Sequence, residues 1–185
     1  KNGYLLYETF YTEPSMIYGI SKTALTIANI KKLKPLCVES LRSNEKNNTL
    51  VHSMNKTIVG NKNDFLKSCI KNNLGILKHI LNINSKQDLL NLKIEQYEIG
   101  KYIYDSVLIN FKIPEINTMT FNIRKRILLE ICYFYFFKKL IKSYNIKIMV
   151  LGDNVYRYGL LFELAKYNNI ECITPINLNA FSMRK

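Results

Sequence analysis

Apolar positions in this chain switch repeatedly between strand-like runs and helical spacing. In Tyr4–Phe10, the β-compatible Leu5, Leu6, Tyr7 and Phe10 form a short run closed by the turn-forming Glu13-Pro14-Ser15, which predicts a strand. Ser15 can cap a helix, and Ile17, Ile20, Ala24, Ile27, Ala28 and Leu33 then recur at helical spacing to about Leu33. Pro35 announces a second strand over Leu36–Leu41. Arg42–Lys62 is polar, rich in Asn and weakly patterned, which reads as a loop with room for a short strand at Lys56–Val59.

Helical spacing returns in Phe65–Leu81, where Phe65, Leu66, Cys69, Ile70, Leu74, Leu77 and Leu81 lie on a continuous face. A shorter helix over Lys86–Leu92 has Ser85 as its cap. Ile94–Gly100 reads as extended or irregular, and Lys101–Phe111 as helical or turn-rich. Asn117–Tyr144 carries the longest helix, with a broad stripe of Ile123, Ile127, Leu128, Ile131, Phe134, Tyr135, Leu140 and Ile141 suited to covering a sheet. Its aromatic cluster Tyr133–Phe137, beside Lys138, Lys139 and Lys142, has a membrane surface as its alternative to core packing. Ile146–Leu151 is a buried strand, Gly152–Tyr158 a turn, Gly159–Tyr167 a helix and Ile170–Thr174 another strand.

The chain therefore holds two β-α-β units, one near each end. Parallel strands joined through helices build open sheets. The expected fold is α/β: a Rossmann-like open parallel sheet with helices on both faces, in a single domain over 1–185. The chain opens without Met and closes soon after its last predicted strand. On that ground it is expected to be a piece of something larger.

Charge changes the picture next. With 27 basic and 14 acidic residues the net charge is +13. Such a surface suits nucleic acid, anionic lipid or phosphorylated small molecules. Lysine supplies nearly all of it, since Arg stands only at 42, 124, 126, 157 and 184. Readers of bases and phosphates favour the bidentate Arg fork, which weakens the nucleic-acid reading. An A/T-biased coding preference, visible in the Lys, Asn, Ile and Tyr content, accounts for the basicity equally well. Cys37, Cys69, Cys132 and Cys172 are dispersed, and His52 and His79 complete no ligand pattern, so no metal site is expected. Free thiols in apolar runs fit a reducing cytoplasm. No signal peptide is expected, and Ile127–Phe137, interrupted by Glu130, is too short to span a bilayer.

Open parallel sheets bind ligands at the carboxyl ends of their strands. That rule selects Glu8–Ser15 and Gly152–Gly159. Glu8 ends the first strand where a general base would be held rigidly; its plainer reading is a surface acid near a helix start. In the second turn, Gly152 permits a sharp exit, and Asp153 or Asn154 can cap the helix or face a ligand. Arg157 stands where an anion at a helix N-terminus would be held, with Tyr156 beside it, and Gly159 permits close helix-to-strand approach. The plainer alternative is that Asp153 and Asn154 only cap and Arg157 points into solvent. Asp105, flanked by Tyr104 and Ser106, offers hydrogen-bonding groups to a sugar or phosphate, or caps a helix internally. No Gly-x-Gly-x-x-Gly follows either strand, no Gly-Lys-Ser/Thr phosphate loop is present, and no Gly-x-Ser-x-Gly elbow occurs.

Two short segments carry a resemblance. Gly100, Ile103, Tyr104, Asp105 and Ser106 match a Gly-x-x-Ile-Tyr-Asp-Ser/Thr element, and Tyr156, Gly159 and Ala165 match a following Tyr-x-x-Gly-x-x-x-x-x-Ala element. Together they resemble bacterial capsule and surface-polysaccharide biosynthesis proteins, similar to two-domain glycosyltransferase-B-type enzymes. One departure is clear: where the family pattern places a His near the strand end, this chain has Asp153 or Asn154. The resemblance implies that the chain is the N-terminal half of a two-domain protein, an acceptor-side domain acting without metal or resident cofactor. It implies a nucleotide-sugar donor held mainly by a second domain and a glycan or lipid-linked acceptor, with peripheral contact at the inner membrane face. Glu8, Asp105 and Asp153 are then the catalytic candidates. Tyr104, Ser106, Asn154, Tyr156, Arg157 and Gly159 are the substrate-binding ones. A non-catalytic basic module for nucleic acid or anionic membrane is the alternative.

Overall fold

A computed structural model describes residues 3–9, 14–39, 58–59, 62–153, 155–177 and 180–184. Strand β1 (Tyr4–Thr9) leads into helix α1 (Pro14–Ile30) and strand β2 (Lys34–Glu39). After β3 (Ile58–Val59) come α2 (Lys62–Lys71), α3 (Asn73–Leu81) and the short α4 (Lys86–Leu90). A hairpin of β4 (Lys93–Ile94) and β5 (Tyr97–Glu98) precedes α5 (Gly100–Phe111) and α6 (Phe121–Ser143). The chain then runs through β6 (Ile146–Val150), α7 (Tyr156–Tyr167), β7 (Glu171–Asn177) and β8 (Ala180–Arg184).

The main sheet has the order β3-β2-β1-β6-β7-β8. Every neighbouring pair is parallel except β7–β8. This is the α/β, Rossmann-like open sheet expected from the two β-α-β units. Strand alternation splits the core in two. Leu5, Tyr7, Cys37, Ile148, Val150 and Ile173 face α1, whose Ile17, Ile20, Ala24 and Ala28 are buried against them. Leu6, Leu36, Val38, Met149 and Leu151 face the other way, into a larger aromatic core under α2, α3, α5, α6 and α7. Helices thus cover both faces.

Several boundaries differ from expectation. Pro14 opens α1, so Ser15 lies inside the first turn and is not its cap. Proline suits that position because its missing N–H would have no helical partner there. The helix expected over Phe65–Leu81 is interrupted at Asn72, whose Nδ2 donates to Ser68 O at 2.7 Å, a local bond that competes with the helical ladder. Ser85 does cap α4, in a reciprocal box: Ser85 Oγ accepts from Asp88 N at 3.1 Å, and Asp88 Oδ2 accepts from Ser85 N at 2.8 Å. Strand β8 was not expected at all. Tyr133, Phe134, Phe136 and Phe137 are buried, so the aromatic cluster of α6 belongs to the core and not to a membrane surface. Among the described residues no helix is long and apolar enough to cross a membrane.

Candidate functional site at the sheet's switch point

From β1 the chain steps outward to β2 and β3; from β6 it steps the other way to β7. The strand order therefore reverses between β1 and β6, and ligand crevices in open sheets form outside the carboxyl ends at such a point. The first residues of the two stretches selected from the sequence, Glu8 and Gly152, meet there. Glu8, fully buried at the end of β1, accepts a hydrogen bond from Gly152 N, just past β6, at 2.8 Å. The reading of Glu8 as a surface acid is thus corrected. Its register partner on β2, Val38, is fully buried as well.

A cavity of about 340 Å³ opens beside this junction, lined by Ser106 and Asn110 of α5, Arg126 of α6, Asp153, and Tyr156, Arg157 and Tyr158 at the start of α7. Its floor is an ionic cluster around Glu130, which has no exposed surface. Arg157 grips that carboxylate with both ends of its fork: Nη2 to Oε1 at 2.9 Å and Nε to Oε2 at 3.1 Å. Arg126, one helical turn before Glu130, places Nη2 at 2.7 Å from the same Oε1. Ser106 Oγ donates to Glu130 Oε1 at 2.9 Å and accepts from Arg126 Nη2 at 3.1 Å. The Arg157 guanidinium also lies 3.7 Å from the centroid of the Tyr133 ring, within cation–π range.

The electrostatics follow from burial. Removing Arg157 from water works against its charge, but Glu130 and then the flanking tyrosines outweigh that cost and hold the guanidinium above its ordinary range. Two guanidinium groups share one buried carboxylate, so the cluster itself carries a positive excess, with Asp153 the further acid on the cavity wall. Such a wall offers an anion clamp, hydroxyl partners and one carboxylate within a single small volume.

The start of α7 departs from the expected capping. The helix opens at Tyr156 and not Gly159, and its N-cap is Val155, which has no side-chain acceptor, so Asp153 faces the cavity and is not the cap. Asn154 lies outside the described residues. Tyr156 adopts φ 53°, a left-handed backbone that costs a bulky residue about 1–3 kcal/mol and that concentrates at functional sites. Gly159 makes possible a close approach to α5, and not to a strand: a Cβ there would lie 2.0 Å from the Tyr102 ring. That contact draws α7 against α5 and so shapes the cavity.

Ser106, Asp153, Tyr156 and Arg157 are thus brought together, and Arg157 points inward, not into solvent. Tyr104 and Asp105 are not on the cavity wall. The Tyr104 ring meets Lys86 at 5.7 Å. Burial raises the carboxyl of Asp105 above its usual range, with Lys101 opposing. Sequence reasoning did not single out Arg126, Glu130 or Tyr158 as site residues. A signal for the first two was present. An acid in the greasiest run of the chain needs a buried cation, and Arg126 stands four residues before it.

Among the described residues no cluster of His, Cys, Asp and Glu could hold a metal ion. The chain matches no family model, no curated protein and no solved structure.

Proposed function

We propose that this domain is the acceptor side of a glycosyltransferase-B-type enzyme of bacterial surface-polysaccharide biosynthesis, and that the cavity at the β6 edge holds the acceptor's polar end. One observation carries the reading. The two segments that resemble the family, distant in sequence, meet at Glu130: Ser106 from the first and Arg157 from the second bond the same carboxylate and line the same cavity. In this reading Arg126 and Arg157 hold an anionic group, and Ser106, Tyr156 and Tyr158 meet hydroxyls. Asp153 is the carboxylate placed to take the proton from an attacking acceptor hydroxyl. Glu8 is a positioning residue that holds the turn after β6. The donor, a nucleotide sugar, is bound mainly by a partner domain across the cleft.

Two of the five arginines are turned inward onto Glu130, away from any extended phosphate-reading surface. That favours a small anionic ligand over a nucleic acid. The test is a titration of the chain with sugar phosphates and with a short glycan diphosphate, followed by NMR. Saturable shifts are expected in the residues around Glu130. Ser106→Ala should weaken binding by roughly tenfold, the effect of one lost hydrogen bond to a charged group. Shifts spread evenly over surface lysines, with no saturation, would overturn the reading.

A further inference from the structure

Helices α2 and α3 turn one face inward and leave a second apolar face in solvent. Phe65 and Ile76 are buried, with the Phe65 ring 4.7 Å from Tyr133 and 5.8 Å from Phe136 of α6. Leu66, Ile70, Leu74, Leu77 and Leu81 are instead 47–79% exposed. The helical bonds from Asn72 N to Ser68 O and from Ile76 N to Asn72 O keep the turn going through the break, so a spacing of four, four, three and four residues puts them in one stripe along the two helices. Exposed leucines are ordinary singly, but a continuous stripe marks a surface that meets something apolar. Lys67, Lys71 and Lys78, all exposed, follow the stripe along one flank. From Phe65 to Leu81 there is no acidic residue.

We propose that this face is a membrane-surface anchor that lies on an anionic lipid bilayer, with the stripe in the acyl boundary and the three lysines among the headgroups. A helix with an apolar face beside a lysine row binds in the interface plane, through buried apolar area together with attraction to acidic lipid. Charge decides against the main competing occupant, a second copy of the chain. A two-fold contact through this stripe would pair two surfaces of the same sign, with no acid between Phe65 and Leu81 to meet the lysines, in a protein of net charge +13. The anchor does not depend on the glycosyltransferase reading. Helix α2 follows β3, which runs parallel to β2, so the anchor begins at the same carboxyl edge of the sheet as the cavity.

The experiment is co-sedimentation of the chain with phosphatidylcholine vesicles, with and without phosphatidylglycerol, across a salt series. Binding is expected with the anionic vesicles and is expected to weaken as salt rises. The variant Ile70→Gln/Leu74→Gln/Leu77→Gln/Leu81→Gln should lose at least roughly tenfold in partition at unchanged melting temperature, because these side chains contribute little to the core. The variant Lys67→Gln/Lys71→Gln/Lys78→Gln should lose about fivefold per lysine on anionic vesicles only. The proposal is overturned by absence of binding at physiological salt, or by binding that the four-glutamine variant leaves intact. It is equally overturned by a concentration-dependent dimer in sedimentation velocity that this variant abolishes while vesicles remain unbound.

Discussion

Behind the sheet, α1 meets Leu5, Tyr7, Ile148, Val150 and Ile173, and the buried polar side chains on that side, Thr9 and Ser21, are uncharged hydroxyls. In front, α5, α6 and α7 close over the same strands, yet that side buries Glu8, Ser106, Glu130 and Glu163. Both faces exclude water, so the difference does not come from exposure. Buried charge is costly even when paired, and an apolar replacement of similar shape is often as stable. A fold that needed only a sheet covered on two sides could have used the α1 solution twice. The polar side is therefore the one where stability is not the whole explanation: Glu8 and the Glu130 cluster adjoin the cavity beside the strand-order reversal, while Glu163 accepts from Glu98 N at the β4–β5 hairpin.

The sharpest way to break this comparison is at Glu130. Glu130→Ala should destabilise the protein by about 3–5 kcal/mol in urea denaturation, because Arg126 and Arg157 lose their common partner inside the fold. Replacing the cluster as a whole, Arg126→Met/Glu130→Leu/Arg157→Met, should fold with near-native stability while losing ligand binding. If the triple variant were as unstable as the single one, the cluster would be structural and the contrast between the faces would fail. On the α1 face, Ile17→Ala should cost about 2–4 kcal/mol through the cavity it leaves, with ligand shifts unchanged.

Glu8→Leu tests the pin between the two turns. Gly152 N–H would lose its acceptor, for a loss of about 1–3 kcal/mol and weaker binding through a displaced Asp153. The smallest effect is expected at Asp105. Its carboxyl is raised by burial, so the folded state holds the proton more tightly than the unfolded chain. Stability then falls as pH rises from the ordinary Asp range, about 4, through the raised folded value, and the cost persists above it. Asp105→Asn should lift the neutral-pH melting temperature by at most ~2 °C, with no gain below pH ~3 and no change in binding. A loss of ligand shifts in that variant would return Asp105 to the site.

Much of the fold was legible in the chain. Apolar runs at Tyr4–Thr9 and Ile146–Val150, buried almost throughout, and helical stripes at Ile17–Ala28 and Ile123–Ile141 are local signals of what an element must bury. The carboxyl-edge rule chose the turns after both strands before their neighbourhood was known. Strand β8, a short edge strand paired antiparallel with β7, was not read from the sequence. Tyr104 and Asp105 shared a motif with Ser106, yet adjacent helical positions diverge by about a hundred degrees, so only Ser106 reaches the cavity.

What the sequence by itself determined is the inventory: two β-α-β units, a basic surface, few arginines, and an acid stranded in an apolar helix. Only the tertiary structure decided that β1 and β6 are neighbours, bringing Glu8 to Gly152 across 144 positions, and that Glu130 is where Ser106, Arg126 and Arg157 converge. The physical reason is that periodicity reports whether a side chain is buried, whereas its partner depends on strand order and helix rotation. Those are settled by packing the whole core at once.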